Sequence, residues 1–586
     1  MSTGFAFPIS ISNVCLLPAL EVLLLLGVSV VQSQTVSTDF GNRSGATHVV
    51  PSGILAVGGV GSTLSDQFTI NRLAVAGVNQ TRFWISLSQI YATKYPNFTI
   101  LDNTLERMKN SGVHPMAVMD DTPPSLGSKA CAPPSDIWQW GQMAASVVAH
   151  VNQKFPGLLL DYEIWNEPEI ASSLCISNDT TRLDTYISMF AEAAAAMHAQ
   201  AMSDHEPIRT GGPTISNLTL ASVWIPALLN NASAVPYVDF VSFHLYVSGL
   251  KEIDAGMTWS DLYANTQSSW HGLAHYYNLI EPLVRAGHQP NSAATPIYVS
   301  EFNDNWAFAL DCCRNNATYG SLWNTVAIID FLNVVYSGAF AVPSRLVYFN
   351  ISGNYFCMMG EWNSEMDCNT SVLEPYPQFY TYELFASPDY LDLEAGGYMA
   401  VSVSPASTTS GLGATAFYTN TADSVVVINP TPTTYSAVNI NLTNTGFTSP
   451  KGEVYLLDAS HGKISSQPVA LKTIAGGYSA EVEVPFYSTV ALSIKSIQGG
   501  SAPRAVLTVT PQSGPRPLVV NIDSSQSQSG GSSIIGRTLD FGDGKWLNWT
   551  PTTSHTYNKA GNYTVRLMLK DQSGQISTAN SVVTVD

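Results

Sequence analysis

The chain has 586 residues, room for up to about four domains of ~150 residues, or fewer if one is an α/β barrel. Its 44 acidic residues against 25 basic ones leave a formal charge of −19, and only 12% of the chain is charged, about half the usual ~25%. A phosphate backbone or an anionic membrane surface would be repelled. Nucleic acid is excluded as a partner on that ground, and a surface rich in Asn, Ser, Thr, Tyr and Trp suits neutral, hydroxyl-rich ligands, that is, carbohydrate.

Leu16 to Val31 is an apolar run ending near the small residue Ser33, the pattern of a secretory signal over residues 1–34. No Lys or Arg precedes the run and Glu21 interrupts it, so an uncleaved anchor, the one route to membrane association, is the alternative. No later stretch is long and apolar enough to span a bilayer. Loss of the segment would remove Cys15 and leave Cys131, Cys175, Cys312, Cys313, Cys357 and Cys368. An even count in an exported protein, extracellular or periplasmic, allows three disulfides in fifteen pairings, among which the spacing does not choose. No Cys-x-x-Cys occurs, so a zinc site is not expected.

From Pro51 onward, short apolar strands alternate with amphipathic helices, the signature of parallel βα units. Strands are expected at Ile54 to Val60, Thr81 to Ser86, Pro115 to Met119, Leu159 to Asn166, Ile208 to Pro213, Val238 to Tyr246, Ile297 to Phe302 and Arg345 to Asn350. Between them the clear helices run from Leu101 to Ser111, Ile137 to Lys154, Leu183 to Met202, Leu262 to Arg285 and Leu322 to Tyr336. Eight units predict a closed (β/α)8 barrel, α/β in class, over residues 35–388. Residues 35–50, with Val36 to Phe40 strand-like, are a candidate extra strand of the next domain. If Cys131 and Cys175 pair, they tie together the loops after the third and fourth strands.

After Asp389 the helical period disappears. Alternating segments such as Ser424 to Ile428, Glu453 to Leu457 and Val490 to Ile494 predict an antiparallel β-sandwich over 389–498. Gly499 to Pro503 reads as a linker, and 504–586 as a small all-β module. Within it, Leu539-Asp540-Phe541-Gly542-Asp543-Gly544, His555-Thr556-Tyr557 and Gly561-Asn562-Tyr563-Thr564-Val565 resemble a PKD (polycystic kidney disease) domain, which implies an immunoglobulin-like sandwich. There Asp540 and Asp543 are read as ordering a turn.

The residues with most chemistry close the fourth strand: Asp161-Tyr162-Glu163-Ile164-Trp165-Asn166-Glu167-Pro168-Glu169. Strand alternation puts Asp161, Glu163, Trp165 and Glu167 on one face. An acidic inward row must be paired or used, and the C-terminal end of a barrel strand is where reactive groups are placed. The seventh strand ends similarly, in Tyr298-Val299-Ser300-Glu301-Phe302-Asn303, three βα units later. Glu167 and Glu301 would then face each other across the barrel mouth, as double displacement at a sugar needs. Glu301 is expected to stay ionised near a cation and hydroxyl donors. Glu167 is expected to have its pKa raised by Glu301 and by burial.

At these residues the chain resembles the retaining glycoside hydrolases of clan A, family 39 (β-xylosidase and α-L-iduronidase type) most nearly. The resemblance implies Glu167 as acid/base, Glu301 as nucleophile, and Asn166 as partner of the sugar 2-hydroxyl. It also implies substrate-site roles for Arg82 in Thr81-Arg82-Phe83, and for His244 and Tyr246 in Ser242-Phe243-His244-Leu245-Tyr246. One departure is that the eighth strand carries Tyr348-Phe349-Asn350 where many clan members have a Trp. Trp306 is therefore the best stacking platform, Trp165 is a second candidate, and Trp138 and Trp140 are expected in the helix core. Glu163 is read as a buried partner, and Asp120 and Asp121 as loop caps. The expected activity is retaining hydrolysis of O-glycosidic bonds in a poly- or oligosaccharide, with no cofactor and no metal. The alternatives are an endo-acting glucanase or mannanase, and a non-catalytic polysaccharide-binding or adhesion protein.

Overall fold

The computed structural model describes residues 34–41, 55–59, 70, 72–74, 76–78, 80–248, 273–290, 292, 295–305, 318–336, 345–349, 359–361, 369–375, 377–387, 389–391, 398–399, 403–405, 412–419, 422–458, 463–495, 503–530, 534–543, 546–548, 551–571 and 575–586. The apolar N-terminal run, Trp306, Asn350, Cys312, Cys313, Cys357 and Cys368 lie outside them.

Eight parallel strands close a barrel in chain order: Leu55–Gly59, Gln80–Ser86, His114–Asp120, Asp161–Ile164, Arg209–Ile215, Phe240–Ser248, Ile297–Asn305 and Arg345–Phe349. All eight fall where apolar runs predict them. The first closes on the last, with Ala56 opposite Val347. Helices cover the outside because their buried positions recur at helical spacing, as with Trp140, Ala144, Val147, Val148 and Val151 in Ile137–Lys154. Asp136 starts that helix by accepting from the Gln139 N–H at 2.9 Å, and Asn178 caps Asp179–Asp204 through the Thr181 N–H at 2.8 Å. Three described α-helices were not expected, Ala221–Leu229, Pro377–Ala386 and the single turn Leu87–Ile90. The first holds Pro226, a residue that in sequence reads as a break. Trp140 is fully buried, but Trp138 is 62% exposed. It sits in the first turn, on the side of the helix away from the barrel, so its expected core role is corrected.

The sandwich pairs a six-stranded with a five-stranded sheet. Gln34–Asp39 is a strand of the smaller sheet, parallel to Tyr435–Thr443 with Val36 opposite Ile440, and antiparallel to Val403–Pro405. In Ala422–Asn429, Val425 and Val427 enter the sandwich core while Val426 and Ile428 join the barrel's apolar cluster. Burial on both faces is why that strand reads as an unbroken apolar run. Residues 503–586 form a separate two-sheet sandwich with its own core around Val520, Leu539, Val565, Leu567 and Val583.

Candidate active site

The acidic row of the fourth barrel strand is paired, as burial requires. Asp161 receives Arg209 at 2.6 and 2.8 Å and Arg345 at 2.5 Å. Higher in the barrel, Arg82 projects inward from the second strand with no exposed surface. Its Nε donates to Glu163 Oε2 at 2.6 Å, Nη1 to Glu301 Oε1 at 2.7 Å and Nη2 to Asn166 Oδ1 at 2.9 Å. Burial works against the Arg82 charge, but Glu163 and Glu301 outweigh it and raise the guanidinium pKa.

The strand ends at Ile164, and the next residues leave the pleat: Trp165 has φ 67° and Glu167 φ 47°, left-handed conformations that non-glycine residues seldom adopt. Trp165 therefore turns off the inner face. It is buried against Trp140, with ring centroids 6.0 Å apart, and its indole N–H donates to Ser173 O at 3.3 Å, so it is not a sugar platform. Glu167 reaches the mouth with its side chain 22% exposed. Nearby, Thr214 has φ 53° and donates to the Trp165 carbonyl at 3.1 Å.

Across the mouth, the pairing of the sixth and seventh strands skips Ser300, so that Phe243 lies opposite Val299 and His244 opposite Glu301. That bulge aims His244 and Glu301 into one space. His244 Nδ1 lies 2.8 Å from Glu167 Oε1 and 3.5 Å from Glu301 Oε2, and Nε2 lies 3.4 Å from Arg82 Nη2. Tyr246 O–H donates to Glu301 Oε2 at 2.7 Å. Donor atoms of Glu167, His244 and Glu301 all lie within 4.8 Å of one another. Such a triad has the atoms for a cation, but Arg82 already brings a full positive charge against Glu301, and like charge opposes a metal there.

Electrostatics at the mouth correct one expectation. Burial pushes the Glu167 carboxyl up, but the His244 hydrogen bond and charge, the Ser216 hydroxyl and Arg82 together hold it below its ordinary value. His244 itself is raised: burial lowers it, and Glu301 and Glu167 more than offset that. Tyr246 is held far above its usual range by burial and by Glu301, so its hydroxyl stays a donor.

Of the described site residues named from sequence, Glu167, Glu301, Asn166, Arg82, His244 and Tyr246 meet at this mouth, and Trp165 does not. Arg82 stands beside Glu301, where an arginine near the nucleophile was expected, and also pairs the interior Glu163. His244, expected to line the sugar site, has no exposed surface and contacts both carboxylates. Asp121 caps as expected, accepting from Ser86 and from Ser88 at 3.0 Å. Asp120 accepts the Asp121 N–H at 2.8 Å, while burial and Asp121 push its carboxyl up to about 7.

Missed from sequence were Trp84, whose ring packs 4.7 Å from the Arg82 guanidinium, and Ser216. Alternation from Arg82 could have found Trp84, two residues on along the same strand face; nothing local marks Ser216. A cavity of about 400 Å³ adjoins, lined by Ser216, Asn217, Leu218, Thr219, Leu245, Tyr246 and Leu279.

Cys131 and Cys175 form a disulfide across 44 positions, tying the loops after the third and fourth strands. Non-reducing peptide mapping is expected to recover this pair. Replacing both by Ser is expected to cost at most about 4 kcal/mol of stability, the chain-entropy value for a loop of this length, measured by denaturant unfolding.

Residues 86–348 match the family model for glycosyl hydrolases family 39, and residues 500–585 the model for a PKD domain. The fold resembles a GH39 β-xylosidase from Caulobacter crescentus at 14% identity and TM-score 0.55, covering 79% of this chain and 100% of that one. It also resembles the bacterial orthologue of human α-L-iduronidase, at 13% identity, TM-score 0.63, and coverage of 94% and 100%. A third similar structure is a GH30 endoxylanase from Clostridium papyrosolvens C71, with 15% identity, TM-score 0.53, and coverage of 79% and 100%. The barrel region thus matches family 39 of the glycosyl hydrolases and the C-terminal module matches a PKD domain, and the protein is a glycoside hydrolase.

Proposed function

We propose that the protein cleaves O-glycosidic bonds of a poly- or oligosaccharide with net retention, Glu301 acting as nucleophile and Glu167 as acid/base. The observation that carries this is the approach of the two carboxyl groups to within 4.8 Å, oxygen to oxygen. Retaining hydrolases hold their carboxyls ~5–5.5 Å apart, whereas inverting ones leave ~6.5–9.5 Å for a water. Glu301, steadied by Arg82 and Tyr246, bonds to the anomeric carbon as the glycosidic C–O bond breaks. Glu167 gives its proton to the departing oxygen. In the second step Glu167 takes a proton from water, whose oxygen replaces Glu301 at carbon 1.

Asn166 has its Oδ1 pinned by Arg82, which leaves its amide N–H groups to donate to the 2-hydroxyl. The leaving group is received in the cavity beside Ser216 and Tyr246. Arg82 is engaged by Glu163, Glu301 and Asn166, so it is not a clamp for a substrate carboxylate, which favours a neutral sugar such as xylose. The Cys131–Cys175 bridge favours export to an oxidising compartment.

A panel of 4-nitrophenyl glycosides led by the β-D-xylopyranoside would identify the sugar. Proton NMR of the first-formed product is expected to show the substrate's own anomer, and the matching 2-deoxy-2-fluoro glycoside is expected to label the peptide carrying Glu301. An inverted product, or a labelled peptide lacking Glu301, would overturn the reading.

A further inference from the structure

Asp120 ends the third barrel strand, and retaining hydrolysis by Glu301 and Glu167 gives it no task. Side chains of that strand alternate between two environments. Ala117 and Met119 join the apolar cluster between sheet and helices, whereas Met116 packs with Phe240 and Tyr298 in a cluster of its own. Those three residues sit on the third, sixth and seventh strands, which meet only across the barrel interior. Asp120 shares the face of Met116 and so points inward. The second strand divides in the same way, with Phe83 and Ile85 in the outer cluster and Arg82 and Trp84 on the inner face. Register sets Arg82 opposite Met116 and Ser86 opposite Asp120, which places Asp120 at the rim, above the level of Arg82. It is partly exposed there, as is Trp84.

One oxygen of this carboxyl is used by the fold: Oδ1 accepts the Asp121 N–H at 2.8 Å. Among the described residues the other has neither a hydrogen bond nor an ion pair. An acid drawn out of water without a cation needs donors. Burial and the Asp121 charge push the Asp120 carboxyl up to about 7, against the pull of the Asp121 N–H and of Arg82. Asp121 differs, because its own carboxylate is occupied by the Ser86 and Ser88 hydroxyls. The mount is fixed: Asp121 turns the chain with φ 69°, and its carbonyl accepts the Trp140 indole N–H at 2.9 Å.

We propose that Asp120 is a substrate-binding residue that sets sugar specificity, its open carboxylate oxygen accepting a hydrogen bond from the 3,4-diol of the sugar whose carbon 1 meets Glu301. This rests on the retaining reading, which fixes where the sugar lies. Asn166 takes the 2-hydroxyl, and the leaving group points to the cavity of Ser216, Leu245 and Tyr246, on the side of the fifth and sixth strands. Asp120 and Trp84 stand on the third and second strands, across the mouth from that cavity. The sugar edge remote from the cleaved bond, carbons 3 and 4, is turned toward them. Trp84, stacked on Arg82, flanks the same edge. Hydroxyl donors satisfy an acid that has no cation, through charge-assisted hydrogen bonds, whereas a substrate carboxylate would be repelled.

The test is kcat/KM of wild type, Asp120→Ala and Asp120→Asn on the 4-nitrophenyl glycoside chosen by the panel and on its 3-deoxy and 4-deoxy forms. Asp120→Ala is expected to lower kcat/KM on the parent glycoside by about 10- to 100-fold, the scale of a hydrogen bond to a charged group. A purely structural role would also lower it, so the deciding readout is the coupling between residue and hydroxyl. Wild type should lose at least about tenfold on the analogue that lacks the hydroxyl bound by Asp120. Asp120→Ala should treat that analogue and the parent alike, to within about threefold. Asp120→Asn keeps an oxygen for the Asp121 N–H and so covers an alanine variant that folds poorly; its deoxy penalty should also be smaller than that of wild type. Penalties equal to within about threefold in wild type and both variants, for both analogues, overturn the proposal, as does a wild type with no penalty for either. Product stereochemistry keeps the two readings apart. Inversion, or a label away from Glu301, removes the retaining reading whatever the deoxy series gives, whereas retention at Glu301 with uncoupled penalties removes the Asp120 role alone.

Discussion

Glu301→Ala is expected to lower kcat by about 10⁵-fold or more, the scale on which removing a nucleophile from a coordinated site acts. The fold should survive, because Arg82 keeps Glu163 and Asn166 as partners and the truncation opens space at the mouth rather than in the core. Added azide can attack the exposed anomeric face in this variant and should give a glycosyl azide of inverted configuration. Glu167→Ala should behave differently. General acid/base help is worth about 10²–10⁴-fold, so its loss should be large for poor leaving groups and small for 2,4-dinitrophenolate, and azide should give a product of retained configuration. The two variants thus separate nucleophile from acid/base by the anomer of the azide alone. Wild-type kcat in Glu301→Ala, or the opposite pattern of azide products, would remove the assignment.

Arg82→Met is expected to destabilise the protein by about 3–5 kcal/mol, the cost of leaving a buried ion pair with one partner missing. Arg82 and Glu163 are both fully buried and Glu301 nearly so, and the methionine leaves two carboxylates facing each other without a cation. Urea unfolding followed by fluorescence would measure the loss. Adding Glu163→Leu to Arg82→Met should restore at least half of it, since replacing both partners of a buried pair by apolar groups is often close to neutral. Activity should stay lost in the double variant, because Asn166 and Glu301 are still without their anchor. Arg82→Met within about 1 kcal/mol of wild type would show that the pair is not under the predicted strain of burial.

The barrel was legible in the sequence for a local reason. Runs such as Met116 to Met119 and Ile297 to Val299 are apolar without interruption because strands inside a wound barrel are covered on both sides, and the helices between them carry 3.6-residue periodicity. Acids at strand ends are common, and Glu167 and Glu301 stood out because they end the fourth and seventh strands of one βα count, in Trp165-Asn166-Glu167-Pro168 and Ser300-Glu301-Phe302. The Gln34–Asp39 strand was visible as a segment, and its partner Tyr435–Thr443 depends on contacts some four hundred positions away.

Other features were not legible. Trp138 and Trp140 look alike along the chain, and only the side of the helix that meets the barrel separates an exposed ring from a buried one. Trp165 was placed on the inner face by alternation, which fails once φ turns positive. Trp84 followed from that same alternation on an intact strand and was overlooked.

By itself, then, the amino-acid order determined the eight-strand barrel, the two following sandwiches and the pair of glutamates at strand ends, since each is written in periodicities or motifs a few residues long. Only the tertiary structure decided which groups surround those glutamates: the bulge at Ser300 that turns His244 toward both, and the Arg82 fork that holds Glu301, Glu163 and Asn166. Proton affinity depends on charges and donors within a few ångströms, and those come from strands tens to hundreds of residues apart. That is why the direction of the Glu167 shift was misjudged from sequence and became clear once the strands closed into a barrel.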